Sequence, residues 1–251
     1  MNNNYVKKIS EDASRLGIKK GDTILMHSSL KSLGRIDCTP ADVINGIMDA
    51  IGGGTLVLPA LSYMYCNPEN RVFDYYKTPS NVGAIPEYFR TQVNGVRRSL
   101  CPTHSCCAIG KYADEITSTH HYDTTPCGVN SSFRKVKELG GKILFLGCGT
   151  TSNTSMHAVE ELITPDYLWN GEYEYTLIDS ESKEHKMMCK AHGFKNVIQR
   201  YDRLDDVLTQ DEIKTGKILN AKCYLIDTIP MWKKAEEKYR QNQHYFIDFS
   251  N

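Results

Sequence analysis

The fold class expected from this sequence is a layered α/β domain, and three observations carry that expectation. Short apolar runs with the character of buried strands alternate with amphipathic helical stretches. Glycine clusters, Gly-Asp and Thr-Pro steps stand where one element should give way to the next. The 251 residues suit one large domain, able to bury roughly three quarters of its unfolded surface without covalent staples.

The elements follow in order. Val6, Ile9, Ala13 and Leu16 recur at helical spacing, and Gly17 closes that helix. Gly21-Asp22 turns the chain into Thr23-Ile24-Leu25-Met26, a buried strand. It empties into the polar loop His27-Ser28-Ser29-Leu30-Lys31-Ser32-Leu33-Gly34. Thr39-Pro40 starts a second helix, with proline where its missing N–H does no harm. Val43, Ile44, Ile47, Met48 and Ile51 form its apolar stripe, and Gly52-Gly53-Gly54 ends it. Thr55-Leu56-Val57-Leu58 is the next strand. Residues 61–82 are aromatic and polar with little periodicity; they are expected to form a surface lobe or lid on a single domain spanning 1–251. Residues 84–91 read as helix, 105–109 as strand and 132–139 as helix ending at Gly140-Gly141. Lys142-Ile143-Leu144-Phe145-Leu146-Gly147 is the clearest buried strand, and its loop, 148–153, leads into a helix beginning near Thr154. Further on, 173–179 and 223–227 read as strands and 230–242 as a terminal helix with a charged outer face. There is no internal repeat.

Composition narrows the function classes. Thirty basic and thirty acidic residues cancel, and no long run of one sign occurs. Neither nucleic acid nor an anionic membrane is therefore expected as a partner, and Arg97-Arg98 and Lys233-Lys234 read as solvated faces. The nine cysteines are odd in number and irregularly spaced, adjacent at 106 and 107, with no CxxC pair. They read as reduced, mostly buried residues rather than a disulfide framework or zinc ribbon. Met1-Asn2-Asn3-Asn4 lacks the apolar core of a signal peptide. No apolar run approaches the ~20 residues of a membrane span, so the reducing cytoplasm is the expected compartment.

Ligands of open α/β sheets sit beyond the carboxyl ends of the strands, and three loops lie there. After Phe145-Leu146-Gly147 comes Asn153-Thr154-Ser155-Met156-His157-Ala158-Val159-Glu160. On a helix from Thr154, His157 falls in the first turn with Glu160 on the same face. A carboxylate there orients the imidazole, fixes its tautomer and favours its protonated form, as a general base requires. The same spacing also arises on surface helices, where such a pair stabilises by only ~0.3 kcal/mol. The second loop, Pro102-Thr103-His104-Ser105, offers hydroxyls and an imidazole to a ligand or to loop backbone groups. The third runs from His27 to Gly34 and could meet phosphates or an amide-rich tail. GxxxxGK[ST] and GxGxxG are both missing, so nucleotide-dependent chemistry is unsupported. His120-His121 with Asp123, or His157 with Glu160, are metal-ligand types, but HExxH and HxE…PCxxC are absent and no metal is expected. Cys101 or Cys106, beside His104, is the option for covalent chemistry.

Taken in order, these pieces resemble the aminoglycoside 3-N-acetyltransferase family over roughly residues 18 to 228. The match runs from Gly21-Asp22-Thr23 and His27-Ser28-Ser29-Leu30 with Leu33-Gly34, through Thr55-Leu56-Val57-Leu58-Pro59 and Asn81-Val82-Gly83. It continues with Arg97-Arg98-Ser99, Pro102-Thr103-His104-Ser105, His120 or His121 with Asp123, Pro126 and Gly128. Gly147-Cys148-Gly149, Asn153 to His157, Glu160, His192 with Phe194, and Gly216-Lys217-Ile218 before Ala221 complete it.

The resemblance implies a three-layer α/β/α sandwich with a central mixed sheet, distinct from the GCN5-like acetyltransferase fold. It implies N-acetyl transfer from acetyl-CoA, as co-substrate, to an amine of an aminoglycoside, amino sugar or similar small molecule. By the match, His157 and Glu160 are the catalytic histidine and its orienting carboxylate, with Thr103 the leading oxyanion donor. His27, Ser28, Ser29, Leu30, Ser32, Gly34, His104 and Ser105 match positions lining the coenzyme and reaction centre. Cys127, the Asp123-to-Pro126 spacing and Asn130-Ser131-Ser132 depart from the family pattern on the acceptor side. Glu69, Asp74, Glu172 and Glu174 are the acids available to a cationic acceptor. Two other readings fit the residues: a hydrolase using His157 or a cysteine, with or without metal, and a CoA- or sugar-binding module without turnover.

Overall fold

The computed structural model describes residues 2–34 and 37–250. The strands in chain order are β1 (Thr23–Ser28), β2 (Thr55–Pro59), β3 (Val72–Asp74), β4 (Arg97–Arg98), β5 (Cys106–Gly110) and β6 (Lys142–Leu146). They continue as β7 (Trp169–Ile178), β8 (Glu184–His192), β9 (Val197–Gln199), β10 (Ile213–Ile218), β11 (Ala221–Asp227) and β12 (Ile247–Phe249). The helices are α1 (Asn3–Leu16), α2 (Pro40–Ile51), α3 (Ala84–Gln92), α4 (Ala113–Thr117), α5 (Ser132–Glu138), α6 (Ser155–Ile163) and α7 (Thr228–Gln241).

Seven strands form the main sheet in the order β10-β11-β6-β1-β2-β5-β4. Its centre is parallel: β1 pairs with β2 and with β6, setting Leu25 opposite Val57 and Ile143. The strands outside this triplet pair antiparallel, so the sheet is mixed. Alternation along the strands divides the core in two. Ile24, Met26, Leu56 and Leu58 pack with Ile9, Ala13, Val43, Ile47 and Phe89 of α1, α2 and α3. Leu25, Val57, Ile143 and Phe145 pack on the other side with Phe133, Val159, Met231 and Tyr239 of α5, α6 and α7. This is the expected three-layer α/β/α sandwich.

Local chemistry explains the framing of the helices. Thr39 and Asp42 form a reciprocal capping box at α2, with Pro40 in its first turn. A side chain at Gly46 would meet Ile9 at 2.6 Å, so glycine there lets α1 and α2 approach closely. At the tip of β6, Gly147 has φ +71°, and a Cβ would lie 1.5 Å from the Ser32 hydroxyl. The first and third loops of the sequence reading therefore touch at that glycine.

A second, three-stranded sheet, β3-β7-β8, stands beside the main one around Cys66, Phe73, Tyr175, Leu177, Met187 and Cys189. Within 61–82, β3 pairs parallel with β7. Arg98 holds this segment. Read above as part of a solvated face, Arg98 is in fact only 4% exposed. It donates to the carbonyls of Tyr75 and Thr78 and to the Ser105 hydroxyl, while its guanidinium lies over the Phe73 ring. Arg97 is the exposed member of the pair. The strands β3, β4, β8, β9, β10 and β12 and helix α4 are elements the sequence reading did not anticipate, and β7 begins earlier than expected, at Trp169. All nine cysteines are free, eight of them buried. Among the described residues, no helix is long and apolar enough to cross a membrane.

Candidate active site

A cleft of about 810 Å³ opens beside the carboxyl ends of β1, β2 and β6, where the main sheet meets the smaller one. Helix α6 starts there, at the position expected from Thr154, and carries the pair the spacing predicted. His157 lines the cleft, and its Nδ1 lies 2.9 Å from Glu160 Oε2. Glu160 is fully buried, where an unsatisfied carboxylate would be costly. Its oxygens accept from three tyrosine hydroxyls: Tyr201 at 2.9 Å, Tyr167 at 3.0 Å and Tyr239 at 2.9 Å. Burial and the nearby Glu160 carboxylate push all three phenols upward, so they remain protonated donors. Tyr201 also lies 3.0 Å from His157 Nδ1. With Nδ1–H given to Glu160, the imidazole keeps Nε2 as its basic nitrogen.

Two more imidazoles stand against His157. His104 and His192 have ring centres 5.5 and 5.2 Å from it, and 5.0 Å from each other. His104 Nδ1 pairs with the Thr103 hydroxyl at 2.8 Å. Burial, then the neighbouring histidines, holds His104 well below the usual histidine range. His192 Nε2 lies 2.9 Å from Glu161, a carboxylate also bound by the Thr125 hydroxyl and the Cys127 amide. Burial lowers His192, with Glu161 opposing the shift. His27, stacked on Phe145, is brought down to about 3 by burial and by nearby His157.

Five buried side-chain atoms have no hydrogen-bond partner among the described residues: His27 Nε2, Ser28 Oγ, Asn81 Nδ2, Tyr175 Oη and His192 Nδ1. All five belong to residues lining this one cleft. Buried polar groups are almost always paired in folded proteins, so their convergence marks a surface made to receive a polar ligand.

A family profile described as aminoglycoside 3-N-acetyltransferase matches residues 25–240. The chain belongs to that family. It is accordingly an acyltransferase. The SPbeta prophage-derived aminoglycoside N(3')-acetyltransferase-like protein YokD of Bacillus subtilis (strain 168) is 27% identical over 259 residues, covering 94% of this chain and 92% of its own. Aminoglycoside N(3)-acetyltransferase IV of Salmonella sp is 29% identical over 222 residues, with coverages of 78% and 82%. The crystal structure of YokD superposes with a TM-score of 0.81 at 24% identity, over 96% of this chain and 94% of that one. Aminoglycoside acetyltransferase AAC(3)-Xa gives 0.82 at 21%, over 94% and 92%. These likenesses establish the acetyltransferase-type sandwich of the family.

Of the site residues expected from sequence, His157, Thr103, His27, Ser28 and His104 line the cleft, and Glu160 lies directly behind His157. Ser29, Leu30, Ser32, Gly34 and Ser105 do not line it. The Ser105 hydroxyl is spent on Ala60 and Arg98, and that of Ser32 on the Ser29 carbonyl. Two of the alternative groups have hydrogen-bond partners of their own. His120 spans Ser99 and the Pro126 carbonyl, and Asp123 receives Asn130. Burial pushes the Cys101 thiol up to about 12 and Cys106 well above its usual value, the reverse of nucleophile activation. Sequence reasoning missed Tyr167, Tyr201, Tyr239 and Glu161, and gave His192 no site role. His192 with Phe194 was the one available signal, as a fragment of the family pattern.

Proposed function

We propose that the cleft transfers the acetyl group of acetyl-CoA to an amine of an aminoglycoside-like or amino-sugar-like molecule, with His157 as general base. The observation that carries this reading is the His157–Glu160 pair, backed by three tyrosines and opening on a cleft with unpartnered polar atoms. The relatives support it: aminoglycoside N(3)-acetyltransferases by name, with one neighbour, AAC-IIIb, described in a binary complex with CoASH and another, AAC(3)-IVa, in complex with a gentamicin.

An alkylammonium has a pKa of ~10 and cannot attack until it loses a proton. His157 Nε2 takes that proton as the nitrogen attacks the thioester carbon. With His104 in the Nδ1–H tautomer, the Thr103 oxygen accepts from the ring and its own proton is free to meet the developing oxyanion. Collapse breaks the C–S bond, the imidazolium returns its proton to the departing CoA thiolate, and the second proton of the former ammonium leaves the amide nitrogen for solvent. His27, Ser28 and His104 sit on the coenzyme side of this arrangement. No step requires a metal. In this reading the chain works as a single domain in the cytoplasm, with 61–82 as the lobe over the acceptor.

A panel of amines incubated with acetyl-CoA tests the function by release of free thiol. Thiol release matched by acetylated amine, and insensitive to chelator, is the expected result. Thiol release without amine consumption, or loss of activity with chelator, would replace it with a hydrolase.

A further inference from the structure

We propose that the acceptor presents a single ammonium group to a seat between His157 and His192, and is otherwise an uncharged, hydroxylated molecule. This rests on the transfer reaction proposed above and names its substrate class. Helix α6 carries two consecutive carboxylates, each facing a different imidazole. Glu160 holds His157 Nδ1, and Glu161 holds His192 Nε2. The carboxylate side chains are 0% and 3% exposed. Apart from the two imidazoles, the partners recorded for them are neutral: tyrosine and threonine hydroxyls and one backbone amide. Two buried negative charges thus stand behind two rings whose centres are 5.2 Å apart.

His192 is the revealing member. Its side chain is 5% exposed, its Nε2–H is committed to Glu161, and its Nδ1 is buried without a partner on a ring that lines the cleft. A nitrogen in that state is an acceptor, and an ammonium has three protons to donate. One goes to His192 Nδ1 and holds the amine. Another goes to His157 Nε2 and is the proton lost on attack.

The rest of the described wall offers no carboxylate to a second ammonium. Among the described residues, none of those lining the cleft is Asp, Glu, Lys or Arg. The remaining unpartnered atoms, on His27, Ser28, Asn81 and Tyr175, are suited to hydroxyl and amide groups, and Tyr63 and Phe194 offer ring faces. The acids available from sequence are elsewhere: Asp74 is paired with Lys77, Glu174 is 3.7 Å from Lys186, and neither Glu69 nor Glu172 lines the cleft. A second or third ammonium would be desolvated with no counter-charge.

The test compares glucosamine, with one amine, and gentamicin, with several. Each is titrated calorimetrically into CoA-bound protein and assayed for thiol release with acetyl-CoA. Glucosamine should exceed gentamicin by about tenfold or more in both affinity and kcat/KM. His192→Asn should raise KM for glucosamine about tenfold while KM for acetyl-CoA stays put and the protein remains folded at the assay temperature. The proposal is overturned if gentamicin equals or exceeds glucosamine, if His192→Asn leaves the glucosamine KM unchanged, or if neither amine binds. Binding of glucosamine without thiol release would instead sink the transfer reaction while leaving the seat intact.

Discussion

Glu160 and Arg98 are both buried charges held without an opposite charge in direct contact, and they are held differently. Glu160 takes side-chain hydroxyls from three tyrosines on separate elements, plus one imidazole. The Arg98 guanidinium gives its protons chiefly to backbone carbonyls, at Tyr75, Thr78 and, at 3.4 Å, Ala60, with the Ser105 hydroxyl as its side-chain partner among the described residues. Burial lowers Arg98 to about 10, still far above neutral pH, so it stays charged. The carbonyl cage ties the segment bearing β3 to the sheet edge and leaves no proton to move. The tyrosine cage fixes a carboxylate while leaving one imidazole nitrogen beside a cleft. A charge satisfied by backbone builds architecture; one satisfied by side chains around a titratable ring can do chemistry.

The largest effect should come from breaking the architectural cage. Arg98→Met strands several buried carbonyls and should cost about 3–5 kcal/mol of stability, read as a fall in urea midpoint. Recovery by Arg98→Lys would show that charge alone suffices and would weaken the comparison, since an ammonium lacks the guanidinium fork. His157→Ala should lower kcat by about 10² or more with little change in stability. Normal turnover by that variant would remove the chemical role assigned to the tyrosine cage.

Acid should act through two other buried groups. His27 and His120 have folded values depressed by burial to about 3 and about 4. Their contribution is complete above the unfolded histidine value near 6.5 and is lost as pH falls from there through the folded values. At pH 5 the loss should be roughly 2 kcal/mol for each histidine, measurable as a lower urea midpoint than at pH 7.5. A midpoint unchanged over that interval would mean that His27 and His120 are not desolvated. Tyr201→Phe is the mildest probe. It removes one donor from Glu160 and one neighbour of His157 Nδ1, and should cost about 1 kcal/mol and several-fold in kcat. An equal loss of kcat in Tyr239→Phe, which touches Glu160 but not His157, would show that the carboxylate rather than the imidazole feels the cage.

Local pattern made much of this legible. The helices α1 and α2 announce themselves through apolar spacing, with a Thr-Pro start to α2 and closing glycines, whereas α6, with neither a side-chain cap nor a closing glycine, is legible only as the element that follows β6 and its loop. The strands β1, β2 and β6 show as short apolar runs because they are buried on both faces. The strands that escaped notice are those with one wet face or very short spans. In β8, Met187, Cys189 and Ala191 face inward between exposed Lys186, Met188 and Lys190, a half-buried alternation that carries less apolar signal. Arg98 was misread because neighbouring basic residues look alike in sequence, whereas adjacent strand positions face opposite sides.

The amino-acid sequence by itself determined the layered α/β class and the helical step of the His157–Glu160 pair, through periodicity and a three-residue spacing, while the ordered motifs carried the family resemblance that implied the sandwich. Tertiary structure decided what surrounds that pair. Tyr201 and Tyr239 reach Glu160 from 41 and 79 residues away, and His192 reaches Glu161 from 31. Contacts across such separations are set by how layers pack, which leaves no short-range spacing to read.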